Sequence, residues 1–365
     1  MRIGILTGSE FAVPGGAERL VVDLARALDA DVVVPAYSEE VVSSYDPGRR
    51  VRFCSLGHPL PAEPFRQVEG MRLFRSASLE YDFVVCIDDM AVRYLVHAVP
   101  HLYYVLTPRR ALYDMYYHFL AGKSIPERAV YVPALAAARY FDRRFVWKYV
   151  RNIAAISHTV RNRVQKVYLR DAHVLYPPVH ADRFTWRPSE GYWLSLGRVD
   201  KWKRIELQVE AFRSMPEKTL VVVGRVYPGF ERVVENAPPN VIWKHVLGEE
   251  EIRDLYSRCE GFLTTAIDED FGITPVEAMA SGKPVVAVRE GGYQETVLDG
   301  VCGRLVAPDP REIRDAVREV GARSDEFRDV CRRRAALFDY PVFAERAREL
   351  VETCLGASRG GAQDR

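Results

Sequence analysis

The sequence predicts an α/β protein built from two doubly wound parallel-sheet domains, and three observations carry that reading. Short apolar runs alternate with longer amphipathic ones: RIGILTG, a helical pattern from Ala17 to Leu28, DVVVPAY, and later FVVCIDD and IAAISH. Brief apolar runs suit strands buried on both faces, and their alternation with amphipathic stretches suits βα units around a parallel sheet. The same rhythm restarts at YWLSLGR, residues 192 to 198, and continues through TLVVVGR, NVIWKHV, GFLTTA, KPVVAVR and GRLVAP. Between the two series lies YPPVHADRFTWRPSEG, residues 176 to 191. Its three prolines and lack of apolar periodicity resist both helix and strand and suit a linker. The expected organisation is a first domain over 1–180, a second over 181–340, a helix over 341–355 and a disordered tail, GASRGGAQDR, over 356–365.

Composition bounds the function classes. The chain has 365 residues, 48% of them hydrophobic, which is enough for two cores of ordinary size. Lys and Arg number 51 against 50 Asp and Glu, so the formal charge is +1 and no global field recruits nucleic acid. The six cysteines, at 54, 86, 259, 302, 331 and 354, are too far apart for a C-x-x-C pair, and a reducing cytoplasm is the expected home. The start of the chain enters Ile3, Ile5 and Leu6 as a buried strand rather than a leader, and no window is apolar enough for a membrane span. Any membrane contact is expected to be peripheral, on the inner face of the cell membrane.

One region stands apart. Residues 109–151 hold nine Lys or Arg, three Asp or Glu and ten aromatic side chains. One reading is a basic, aromatic surface for anionic lipid headgroups or a pyrophosphate-bearing acceptor; the other is that the aromatics pack helices and the arginines are solvated.

Three segments carry candidate chemistry. In DEDFGITPVEAMASGKPVVAV, from Asp268 to Val288, a helix is expected around Thr274 to Ala280, ended at Gly282. At about 1.5 Å per residue Glu277 sits one turn inside that helix while Glu269 lies in the loop before it, so two carboxylates can face one crevice from different depths. Phe271, Gly272 and Ile273 would offer backbone N–H groups at the helix start, where the dipole favours a phosphate. Carboxylates beside such a cradle suit sugar hydroxyls, which are hydrogen-bond donors. In LGRVDKWKRIELQVEAF, from Leu196 to Phe212, Arg198 and Lys203 follow a strand end, where ligands bind in open parallel sheets. Two cations there can clamp a diphosphate and stabilise the charge on a departing phosphate. Lys201 and Arg204 read as surface residues. In TGSEFAVPGGAERLVVDLARAL, Gly15 and Gly16 precede a helix and form either a turn or an anion cradle. Neither G-x-G-x-x-G nor G-x-x-x-x-G-K-[ST] is present, so nicotinamide binding and P-loop hydrolysis lack their fingerprints.

Together these segments resemble the retaining glycosyltransferases of family 4, the group 1 glycosyltransferases. The resemblance rests on PGGAERLV, LGRVDKWKRIELQVEAF, EDFGITPVEAMASGKPVVA and GGYQETVLDGVCGRLV, and is strongest from Trp193 to Val306. It implies the GT-B fold: two doubly wound Rossmann-like domains facing each other across a cleft. It further implies a nucleotide-diphosphate sugar as substrate, with Arg198 and Lys203 on the diphosphate, Glu269 on the sugar hydroxyls and Glu277 on the ribose. The backbone at Gly272, Ile273 and Thr274 would meet sugar and phosphates, and Gly16 would approach the diphosphate from the first domain. The loop at Lys244, His245 and Val246 would meet the base, although His245, like His58 and His97, also reads as an ordinary structural histidine. WKRIELQVEAF and YPPV are similar to bacterial and archaeal mannosyltransferases of lipid-linked glycan assembly, which makes GDP-mannose the first donor expected and a glycan or lipid-linked acceptor its partner. No cofactor and no metal are implied.

One departure matters. Many relatives have a His just before the Thr-Pro of the segment written here YYVLTPRRALYDMYY, facing the donor sugar near its 6-hydroxyl; this chain has Leu106. Either His101, His118 or a backbone carbonyl takes over, or the lining is apolar and tolerates a 6-deoxyhexose or pentose. Other chemistries also start from these residues. Asp268-Glu269-Asp270 has D-x-D spacing for a metal-diphosphate clamp, though the FG…EAMA helix accounts for those acids without a metal. Glycoside hydrolysis uses two carboxylates but leaves the cationic clamp unexplained. A nucleotide-sugar epimerase or a non-catalytic nucleotide-sugar-binding scaffold of the same fold would need no acceptor.

Overall fold

A computed structural model describes residues 1–365 except 13–14, 58–59, 63–64 and 361–365. His58 therefore lies outside the described residues. The chain divides into two compact units, Met1–Pro177 with Pro341–Arg365, and Pro178–Tyr340.

The first unit begins with β1 (Ile3–Leu6), α1 (Gly16–Leu28), β2 (Asp31–Val34), α2 (Glu39–Tyr45), β3 (Phe53–Ser55), α3 (Arg66–Ser76), β4 (Phe83–Cys86) and β5 (His101–Val105). It continues through α4 (Tyr116–Ala121), α5 (Ile125–Tyr149), β6 (Ile153–Ala155), α6 (His158–Tyr168) and β7 (His173–Val174). Its seven strands run in the order β3-β2-β1-β4-β5-β6-β7, every pair parallel. The apolar runs form the central strands because both faces are covered: Ile5, Val32, Val33, Phe83, Val84 and Val85 are fully buried.

The second unit contains β8 (Tyr192–Leu196), α7 (Ile205–Arg213), β9 (Thr219–Val223), α8 (Glu231–Glu235), β10 (Val241–Lys244), α9 (Glu249–Arg258) and β11 (Gly261–Thr264). After these come α10 (Ile273–Ala280), β12 (Val285–Val288), α11 (Tyr293–Thr296), β13 (Gly303–Val306), α12 (Pro310–Gly321) and α13 (Arg328–Ala336). Six parallel strands run β10-β9-β8-β11-β12-β13.

The last helix, α14 (Tyr340–Gly360), counts with the first unit rather than standing alone. Arg348 anchors it there by donating to the carbonyl of Ala27 at the end of α1. The tail expected to be disordered from 356 is instead helical as far as Gly360. Both sheets reverse strand order at one point, between β1 and β4 and between β8 and β11. Such switch points open a crevice at the strands' carboxyl ends.

Candidate functional site

In the second unit the crevice lies where the loop after β8 meets the loop after β11. Beside it the ends of β8 and β9 approach closely because a glycine follows each: a Cβ on Gly224 would stand 1.9 Å from the carbonyl oxygen of Gly197. Asp200 staples the first loop, its buried Oδ1 accepting from the N–H groups of Trp202 and Lys203 at 2.9 and 3.0 Å. Its other oxygen lies 3.4 Å from Nε of Arg198, whose side chain is exposed and reaches over the Tyr227 ring.

Arg204 corrects the sequence reading. It caps α7 in the left-handed region, φ 49°, which costs a non-glycine residue energy unless its surroundings hold it. They do: its guanidinium donates to the Thr265 carbonyl at 2.8 Å and makes a two-point pair with Glu290 at 2.6 and 3.2 Å. With its side chain 16% exposed, it is a structural brace rather than a surface cation. Lys201 is exposed as expected, its ammonium lying over the Trp202 ring.

This bracing sets Lys203. Its Nζ donates to Oε2 of Glu269 at 2.7 Å, with both side chains about a quarter exposed (26% and 25%). The loop carrying Glu269 is fastened from behind by Gly291 and Gly292. The Gly292 N–H donates to the Glu269 carbonyl at 2.7 Å, and a Cβ on Gly291 would meet that oxygen at 2.2 Å. Glu290 also accepts from the Asp268 N–H at 3.2 Å, so one carboxylate ties the Lys203 loop to the Glu269 loop. The buried Tyr293 hydroxyl lies 3.5 Å from Oε2 of Glu269 and 2.6 Å from Thr264 Oγ1. Burial, and then the Glu269 charge, push that phenol well above its ordinary range, so it keeps its proton.

Gly272 opens α10 at φ 89°, where a Cβ would sit 2.8 Å from the Tyr293 ring. No side chain caps this helix, so its first N–H groups, those of Ile273 and Thr274 among them, remain for a ligand. One turn in, Glu277 Oε2 accepts from the hydroxyl of Tyr256 at 2.9 Å. Tyr256 is fully buried, and burial followed by the Glu277 charge keeps it protonated. Arg198, Lys203, Glu269, Gly272, Ile273, Thr274 and Glu277 thus line the loops and helix start at the carboxyl ends of the neighbouring central strands β8 and β11. Lys244, His245 and Val246 lie at the end of β10, two strands over; they are exposed, and no hydrogen bond or ion pair involves their side chains among the described residues. Glu290, Gly291, Gly292 and Tyr293 had no role in the sequence reading, though the last three open its GGYQET string and Glu290 directly precedes it.

Gly15, Gly16 and Leu106 belong to the first unit. The Tyr45 hydroxyl accepts from the Gly15 N–H at 2.6 Å and donates to its carbonyl at 2.9 Å. A Cβ on Gly16 would meet nothing within 4 Å, so packing does not demand glycine there. Leu106 follows β5 and is half-buried. His101 does not substitute for the missing histidine. It starts the same strand, with Nδ1 2.7 Å from the Val99 carbonyl and Nε2 accepting from the Arg151 N–H at 2.9 Å. Burial lowers its pKa and leaves it neutral. His118 is exposed on α4, and His97 holds the Arg75 carbonyl at 3.0 Å as a structural residue.

Two parallel-sheet α/β domains with this strand order define the GT-B class. Solved structures agree across nearly the whole chain. Sucrose-phosphate synthase from Thermosynechococcus elongatus aligns over 98% of this chain and 99% of its own, with a TM-score of 0.79 and 18% identity. HepE from Anabaena, solved with UDP and glucose, aligns over 96% and 99%, with a TM-score of 0.75 and 18% identity. Residues 180–337, nearly all of the second unit, match the family Glycosyl transferases group 1. The α-1,3/1,6-mannosyltransferase of Dictyostelium discoideum is 30% identical over 35% of this chain and 37% of its own length. The O-antigen chain mannosyltransferase RfbU of Salmonella typhimurium is 27% identical over 42% of this chain and 46% of its own. The chain thus spans about half the length, or less, of these curated relatives.

Proposed function

We propose that the protein is a retaining hexosyltransferase of family 4. It moves a sugar from a nucleotide-diphosphate donor, GDP-mannose being the first candidate, to a glycan or lipid-linked acceptor in polysaccharide assembly. The observation that carries the reading is the contact of Lys203 with Glu269 at 2.7 Å beside the uncapped start of α10. The mannosyltransferases among the relatives support the sugar, and the UDP held by HepE supports a nucleotide diphosphate.

In this scheme the diphosphate competes with Glu269 for Lys203. Its negative charge is shared among Lys203, Arg198 and the N–H groups of α10, so the departing phosphate is stabilised where its charge grows. Glu269, relieved of Lys203, accepts from the sugar hydroxyls. Glu277, oriented by Tyr256, accepts from the ribose. The acceptor hydroxyl attacks from the side the diphosphate leaves and passes its proton to the leaving phosphate, which preserves configuration without a dedicated base. The loop at Lys244, His245 and Val246 takes the base, and Gly16 gives the diphosphate room. These cations and dipoles carry the charge, so the scheme uses neither metal nor cofactor. Leu106 gives the sugar an apolar neighbour near its 6-position, so donors with and without the 6-hydroxyl should react at comparable rates.

The experiment is transfer from GDP-mannose, UDP-glucose and their 6-deoxy counterparts to lipid-linked and soluble acceptors, each with and without chelator. Acceptor-dependent release of nucleotide diphosphate, unaffected by chelator, is expected. Conversion of donor in the absence of acceptor would instead identify an epimerase.

A further inference from the structure

Gln208 carries a buried polar atom that nothing satisfies. The residue lies on the buried face of α7, fully hidden from solvent, and its Nε2 donates to Oγ1 of Thr265 at 2.9 Å. Its Oε1 is equally buried and meets no hydrogen-bond partner among the described residues. Such an orphan costs the fold the desolvation of an amide oxygen, a penalty that an apolar side chain of like volume would not carry. A group that weakens the fold needs a reason outside it.

The reason lies one bond away. Thr265 directly follows β11 and is itself buried; its Oγ1 donates to the carbonyls of Lys203 and Arg204, at 2.8 and 3.0 Å. A threonine hydroxyl has one proton and two lone pairs. With Gln208 donating into a lone pair, the proton is left for those two carbonyls, and the oxygen is fixed from both sides. The reverse amide orientation would draw the proton onto Oε1 and away from the carbonyls, one hydrogen bond fewer for the same groups.

Lys203 is thereby held at both ends of its main chain. Asp200 accepts from its N–H at 3.0 Å, and Thr265 donates to its carbonyl. The stem then runs over Gly197, where a Cβ would stand 3.6 Å from Cγ and Cδ of Lys203. These contacts leave the ammonium end, now on Glu269, as the part that can exchange partners.

We infer that Gln208 is a positioning residue for Lys203: through the Thr265 hydroxyl it fixes the main chain from which the ammonium meets the donor's diphosphate. The inference rests on the reading of Lys203 as a diphosphate clamp and concerns the buried groups that aim it.

The test is calorimetric titration of the full chain with GDP and with UDP, alongside thermal melting. Gln208→Leu removes the orphaned oxygen together with the bond to Thr265, so its Tm should hold or rise while affinity for the bound diphosphate falls about fivefold. Thr265→Val, which loses the hydroxyl and keeps the shape, should lose at least as much affinity, and Thr265→Ser should recover most of it. A lowered Tm with unchanged affinity in Gln208→Leu would reduce the residue to packing and overturn the inference. Lys203→Ala separates the two claims. If the parent binds neither nucleotide, or Lys203→Ala binds as tightly as the parent, the diphosphate reading fails and this inference with it. If Lys203→Ala binds weakly while Gln208→Leu and Thr265→Val bind as the parent does, Lys203 keeps its role and Gln208 loses its own.

Discussion

Arg204 and Glu290, 86 positions apart, form a two-point ion pair whose carboxylate also holds the Asp268 N–H. The pair joins the loop of Lys203 to the loop of Glu269 and so governs the separation of those two side chains. Glu290→Gln leaves the volume but removes the charge facing a mostly buried guanidinium. The expected cost is about 1–2 kcal/mol of stability, with a larger relative fall in kcat/KM, about tenfold, because Lys203 and Glu269 lose their fixed separation. Melting and kinetics on the same preparation check it; equal loss in both would reduce the pair to a structural brace.

Lys203→Ala and Glu269→Ala should cost less stability than Glu290→Gln. Their contact is a quarter exposed, so its loss costs at most about 1 kcal/mol. Turnover should fall by about 100-fold or more, since in the proposed scheme each variant removes a group that meets charge or hydroxyls in the transition state. A variant that melts normally and turns over normally would remove that residue from the mechanism.

Two glycines separate packing from ligand approach. Gly224→Ala drives a Cβ to 1.9 Å from a backbone carbonyl at φ 156° and should cost about 2–4 kcal/mol. Gly16→Ala meets open space at the start of α1 and should raise stability by about 0.5–1 kcal/mol, as helical alanine does. If Gly16 leaves room for a diphosphate, donor KM should rise in that stabilised variant; an unchanged KM would confine Gly16 to a turn.

Asp89 supplies a pH signature. Burial raises its pKa to about 6 from an ordinary 3.8, against the pull of Arg109, whose Nε lies 3.2 Å away. Below about pH 4 the carboxyl is protonated in both folded and unfolded chains and costs nothing. Between about 4 and 6 the unfolded chain ionises first, and above about 6 the folded state bears the full penalty, at most about 3 kcal/mol. Asp89→Asn should therefore raise Tm at pH 8 by more than at pH 4.5. A difference independent of pH would show that the Arg109 pair dominates.

The strands were legible because parallel strands buried on both faces are written as apolar runs such as FVVC and TLVVV. The start of α10 was legible because Gly272 and the following apolar frame mark one helix cap. Arg204 was misread because cations at a helix start are usually solvated, and its partner Glu290 is remote in sequence. Glu290 and Tyr293 escaped for the same reason: their roles exist only once β11 and β12 bring two loops together. The reach of α5 was hidden by Pro133 within it and by apolar and charged residues spread around the helix without an amphipathic period. His101 looked available because a sequence does not show that Val99 and Arg151 occupy both ring nitrogens.

The central claim is that Lys203 exchanges Glu269 for a nucleotide diphosphate. Thermal shift of the parent protein and Lys203→Ala with GDP, UDP, GDP-mannose and UDP-glucose, set against NAD and ATP and run with and without Mg²⁺, tests it most directly, because a ligand that binds only the folded state raises its Tm. The account predicts a rise with GDP or UDP species alone, indifferent to Mg²⁺ and largely lost in Lys203→Ala. No rise with any nucleotide diphosphate, or an equal rise in the variant, would contradict it.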